Sequence, residues 1–110
     1  MAMLLPKPVD EYFRSKNARE TAAVLFCFAP GAVVWDKGED ALFTGHDEIK
    51  EWLEKVVASY NLSVEPLEAK EDKGVVSVQA KVSGDFPGSP LEFHYRFTVE
   101  DDKIRRLDIL

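Results

Sequence analysis

Asp36 closes the run 33-VVWD-36, and Lys37-Gly38-Glu39-Asp40 turns the chain immediately after it. A carboxylate in that place has two uses. It can brace the turn by accepting a backbone N–H near Gly38, as Asp does readily. It can also face an apolar hollow and carry a proton, since scarcity of water makes a carboxylate a better base. Tyr12 and Tyr95 are phenols, which can fill a core and still present an O–H to a cavity. Trp35, Phe43, Trp52, Phe93, Tyr95 and Phe97 are the candidate walls. Phe93, Tyr95 and Phe97 alternate with His94 and Arg96, which puts the three rings on one strand face. Ordinary core packing would also explain each of these rings.

Other chemistries find little support in the residues. His46 and His94 are far apart in the sequence and neither belongs to a His-x-x-x-His or carboxylate–His pattern, so no metal site is expected. The acidic pairs fall at turns and helix starts, where the helix dipole and solvation account for them. Cys27 is the only cysteine and lies in the apolar run Leu25-Phe26-Cys27-Phe28. There it reads as a small core hydrophobe, and an internal disulfide is impossible. The net charge of −6 and the scattered lysines and arginines argue against a nucleic-acid partner. MAMLLPKPVDEYF has no basic start, and nothing approaches the ~20 apolar residues of a membrane span, so a cytoplasmic protein is expected.

These residues need elements to position them. With 110 residues, 45% apolar, the chain fits one domain over 1–110. Pro8-Val9-Asp10-Glu11 reads as a helix start, and Val9, Tyr12, Phe13 and Lys16 recur at helical spacing up to a break at Asn17. A second helix is expected from Arg19 to Phe28, stopped by Pro30-Gly31. Ala32–Trp35 and Ala41–Phe43 make a small hairpin. Thr44-Gly45-His46-Asp47-Glu48 opens a third helix with Ile49, Trp52, Leu53, Val56 and Val57 on its apolar side. Beyond Leu62-Ser63-Val64 come three strands, around 76–82, 91–99 and 104–110, with a loop over 84–90. Helices first and strands after them give an α+β fold: a cone-shaped, curved antiparallel sheet covered by three helices from the N-terminal half. Such a cone leaves a hollow under the helices.

In this order the elements resemble the SnoaL-like proteins of the nuclear-transport-factor-2-like superfamily, which includes the ketosteroid isomerases and has a cystatin-like fold. Three patterns carry the resemblance: 28-FAPGAVVWD-36 at the helix-to-strand passage, 43-FTGHDEI-49 into the third helix, and 93-FHYRF-97 on the penultimate strand. It covers roughly Pro8 to Leu110. The fold hosts isomerases, cyclases, dehydratases and plain binding domains. The resemblance implies an apolar small-molecule pocket that needs no cofactor, with Asp36 at the base position and Tyr12 at the oxyanion position. It implies cofactor-independent isomerase- or cyclase-type proton transfer on a carbonyl compound, or ligand binding without turnover. Where ketosteroid isomerases carry a protonated acid on this strand, Phe93 stands instead. In this superfamily the outer sheet face often packs in a homodimer, and Gln79, Lys81, His94 and Arg96 would form that face here.

Overall fold

A computed structural model describes residues 5–110, so the first four residues of the N-terminal apolar patch lie outside the described residues. Helix α1 spans Lys7–Asn17, with Pro8 in its first turn, where a missing N–H costs nothing. Its buried stripe is Val9, Tyr12, Phe13 and Lys16, while Arg14 pairs outward with Asp10 at 3.2 Å. The end of the helix is latched to the sheet. Asn17 donates to the carbonyl of Val64 and accepts from its N–H, each at 2.7 Å.

Helix α2 is shorter than its sequence suggests, Thr21–Phe26. Strand β1 begins at Phe28 and runs to Asp36, so Pro30-Gly31 lies within a strand rather than ending a helix. The strand tolerates Pro30 because its pairing with β6 is irregular between Phe28 and Val33, and both Pro30 and Gly31 are exposed there. Strand β2 spans Ala41–Thr44, and α3 spans Gly45–Tyr60, ending on Asn61 in the left-handed conformation.

The remaining strands are β3 (Ser63–Asp72), β4 (Val75–Ser83), β5 (Leu91–Glu100) and β6 (Lys103–Ile109). Strand β3 is much longer than the three-residue lead-in expected at 62–64. Its Glu/Lys-rich stretch and Pro66 hide the alternation, yet charges and a proline suit a sheet edge, where β3 lies. Lys73-Gly74, both with positive φ, turn it into β4, and Asp101-Asp102 do the same between β5 and β6.

The six strands follow the order β2-β1-β6-β5-β4-β3. The pairings are antiparallel except β1 with β6, which is parallel. Chain order explains the exception, since β6 returns from the far hairpins to lie beside the strand that follows the helices. The α+β architecture with a curved, open sheet under three helices is the one the sequence indicates. One core fills most of the space between the layers, built from α1, α3 and the inward residues of β4–β6. Among the described residues no helix is long and apolar enough to cross a membrane.

Candidate functional site

Strand register decides which of the expected residues meet. Asp36 on β1 pairs with Ile109 on β6, and Ile109 pairs with Tyr95 on β5. All three side chains line one cavity of about 290 Å³. With strands about 4.8 Å apart, the backbones of Asp36 and Tyr95 stand roughly 10 Å apart, room for a small ring system. Phe93, two residues from Tyr95 and on the same face, lines the cavity as well. Val56 and Trp52 of α3, Leu62, and Phe86 from the 84–90 loop complete a mainly apolar wall.

Trp35 is not among these residues. Being one position from Asp36, it pairs with Asp108, which pairs with Arg96, and that row belongs to the opposite face of the sheet. Phe43 acts from behind: its ring stacks on Trp52 at 5.9 Å without reaching the cavity. Phe97 shares the inner face but lies deeper, packed edge-on against Tyr12 and Phe13. Of the rings expected as walls, Trp52, Phe93 and Tyr95 line the space.

Asp36 both braces the turn and lines the cavity. Its Oδ1 accepts the Gly38 N–H at 3.0 Å, which is the turn brace. Its Oδ2 accepts the Trp52 indole N–H at 2.9 Å, which ties the half-buried carboxylate to the cavity wall. Each oxygen keeps a lone pair free of these two donors and able to take a proton. At the same end of the cavity Glu39 pairs with Lys55 at 3.2 Å.

Tyr12 is fully buried and does not line the cavity. Its ring sits in an aromatic cluster with Phe13, Phe28 and Phe97, and its hydroxyl accepts a hydrogen bond from Lys16 Nζ at 3.0 Å. Lys16, one turn further along α1, does line the cavity although it is only 7% exposed. Its ammonium lies 5.0 Å from the Trp52 ring centre and 5.3 Å from that of Tyr12. No carboxylate among the described residues forms an ion pair with it. Trp52 therefore contacts two opposite charges, Asp36 at its indole edge and Lys16 over its face.

Burial sets the acid–base behaviour here. It pulls the Lys16 amine down from 10.5 to about 8, against the opposing pull of the Asp36 charge. Burial likewise pushes the Tyr12 and Tyr95 phenols well up, with the negative charge of Asp36 adding to both, so each keeps its proton. Cys27 is buried, bonds the Ala23 carbonyl through Sγ at 3.4 Å, and is pushed up to about 11. That is a core thiol, not a nucleophile. His46 is less exposed than a helix start suggests: Nε2 bonds the Phe28 carbonyl at 3.0 Å. His94 lies with Gln79 on the other sheet face. Among the described residues no group of three His, Cys, Asp or Glu converges as metal ligands.

Lys16 is the site residue that sequence reasoning passed over. The signal was present, since a lysine occupies the last place of the stripe Val9-Tyr12-Phe13-Lys16, where an apolar residue would serve the core. Phe86, in a loop with turn-type composition, gave no comparable sign.

The family model described as a SnoaL-like domain matches residues 9–107. Among solved structures, a protein of Sinorhizobium meliloti provisionally named as a polyketide cyclase is 40% identical, with a TM-score of 0.92. The match covers 96% of this chain and 95% of that one. A Catenulispora acidiphila protein with a ketosteroid isomerase-like fold, in complex with trimethylamine, is 19% identical. Its TM-score is 0.86, over 97% of this chain and 86% of that one. A cystatin-fold protein of Novosphingobium aromaticivorans is 15% identical at a TM-score of 0.80, covering 99% of each chain. The last two establish likeness of fold alone. No curated protein matches.

Proposed function

The chain belongs to the SnoaL-like domain family, and from that premise we propose that it is a cofactor-independent enzyme moving a proton on an apolar carbonyl compound. Asp36 is the base in this reading, and Tyr95 presents its hydroxyl from the opposite wall. Tyr12 contributes indirectly, by holding Lys16. The observation that carries the reading is the Asp36 carboxylate, fixed by Trp52 and Gly38 at the edge of a mostly apolar cavity. A base needs a fixed position and a free lone pair, and Asp36 has both. The provisional name of the 40% identical Sinorhizobium protein agrees with chemistry of this class.

A panel of apolar carbonyl compounds, offered to the wild type and to Asp36→Asn, tests it. The substitution is expected to keep affinity within a few-fold and to lower turnover by about 10²–10⁴. Undiminished turnover in the variant removes Asp36 from the chemistry. Phe93 favours a second reading, binding without catalysis, because it puts a ring where a further donor would help an oxyanion. A panel in which ligands bind and none turns over would select that reading.

The proposal includes a cytoplasmic homodimer joined through the outer sheet face, where Lys81 and Arg96 are exposed beside half-buried Gln79 and His94. Sedimentation at micromolar concentration is expected to give twice the monomer mass, and a monomer there ends that part of the proposal.

A further inference from the structure

We propose that Lys16 is the carbonyl-binding electrophile of the cavity, so that the substrate class is a neutral, flat ketone whose oxygen rests on Nζ while its α C–H faces Asp36. This rests on the proton-transfer reading above and adds to it a second reacting group and a definite ligand orientation.

The argument starts from an incompletely satisfied cation. An ammonium carries three N–H donors. Only one of those on Lys16 has an oxygen partner among the described residues, the Tyr12 hydroxyl. The residue is only 7% exposed, and its amine meets the cavity rather than the outer surface. The ring face of Trp52 offsets part of the charge. A cation so placed on a cavity wall has donors left for an acceptor inside the cavity. Asp36 bonds the N–H edge of the same indole, and together the two groups have no net charge. A neutral ligand therefore suits the cavity better than an ion of either sign.

That geometry describes an enolisation site. Asp36 takes the α proton, the C–H electron pair becomes the C=C bond, and the carbonyl π pair moves onto oxygen. The Lys16 N–H donors meet the charge that develops there. The protonated Asp36, which is only half-buried, exchanges its proton with solvent, and return of a proton, or in heavy water a deuteron, to carbon completes the cycle. Lys16 on α1 thus supplies the donor that Phe93 on β5 cannot. The position is well held, since the neighbouring Asn17 clamps the helix end to Val64. Tyr12 bonds Nζ, and the titratable groups that line a pocket with Lys16 are Asp36, Glu39 and Tyr95 on one side and Arg19 and Glu20 on another. Both phenols stay protonated well above neutrality, which leaves Lys16 as the group that changes charge on the alkaline side.

The experiment is deuterium uptake at the α carbons of 2-tetralone in heavy water, followed by NMR and corrected for the uncatalysed rate. Wild type is expected to label the probe, with a rate that falls as pH rises through about 8. Lys16→Met should lower the rate by about 10²–10³-fold and lose the alkaline fall, while tetralone affinity, read by tryptophan fluorescence, changes far less. Lys16→Gln, which keeps neutral N–H donors and guards against a folding defect in the first variant, should lie between the two. Exchange by Lys16→Met at the wild-type rate, with the same pH profile, overturns the proposal and leaves Asp36 in place. Loss of exchange in Lys16→Met but not in Asp36→Asn overturns the role of Asp36 and keeps that of Lys16. A wild type that binds the ketone without exchange overturns both, and failure to bind it overturns carbonyl recognition at Lys16.

Discussion

Replacing Lys16 by methionine should make the protein more stable at neutral pH, by an amount that shrinks as pH rises. Methionine keeps the length of the side chain and removes the amine. In the folded protein that amine is lowered from 10.5 to about 8 because burial disfavours its charged form. Below pH 8 the folded and unfolded chains both hold the proton, and the folded one bears the full cost of burying it. Between pH 8 and 10.5 the unfolded chain holds more protons, so wild-type stability rises with pH through that window. The gap between 10.5 and about 8 corresponds to about 3 kcal/mol, most of it recovered by pH 10. Against this, the variant leaves the buried Tyr12 hydroxyl without Lys16, which costs about 1–2 kcal/mol at every pH. The variant should therefore be about 1–2 kcal/mol more stable than wild type at pH 7 and less stable at pH 10. Urea unfolding of both proteins at several pH values measures the difference. Titration of Tyr12 and Tyr95 in the unfolded state affects the two proteins alike and drops out. A stability difference that stays constant from pH 7 to pH 10 would refute the claim that Lys16 carries a desolvated charge.

Two further substitutions test how the site is held. Trp52→Phe keeps a ring against Phe43 but removes the 2.9 Å bond to Asp36, and should cost about 2 kcal/mol in urea unfolding. A loss under about 0.5 kcal/mol would show that the indole does not hold the carboxylate. Asn17→Ala removes both 2.7 Å bonds to Val64 and strands a backbone donor and acceptor in a part-buried place. It should cost about 2–3 kcal/mol and speed hydrogen exchange at the Val64 amide, and an unchanged exchange rate would deny the clamp.

The parts legible in the sequence are those where burial writes a period. β5 alternates cleanly over Phe93, Tyr95 and Phe97, and α3 shows its stripe from Ile49 to Val57, because each buries one face against a continuous core. Edges write no such period. β3 lies at the rim of the sheet and is mostly exposed, so its residues answer to solvent and to the avoidance of aggregation. Pro30-Gly31 misleads for a related reason: those residues stop a regular helix anywhere, and only the pairing partner reveals that an irregular strand accepts them. Trp35 looks like a neighbour of Asp36 because it is one in sequence. In a strand, adjacency in sequence places two side chains on opposite faces.

The same logic explains how a functional residue can be visible and still be read as structure. The stripe Val9-Tyr12-Phe13-Lys16 satisfies the geometry of a core-facing helix, and a lysine stem packs as well as a leucine along most of its length. What the stripe cannot reveal is the surroundings of Nζ, which come from residues distant in sequence: Trp52 on α3 and Asp36 on β1. A lysine at the end of an apolar stripe often snorkels to solvent, and this one would if the 3.0 Å bond to Tyr12 and the packing of α3 left it a route. They do not. Holding the amine inside costs folding energy that an aliphatic residue would save, and the lining of the cavity is where that cost has a chemical return.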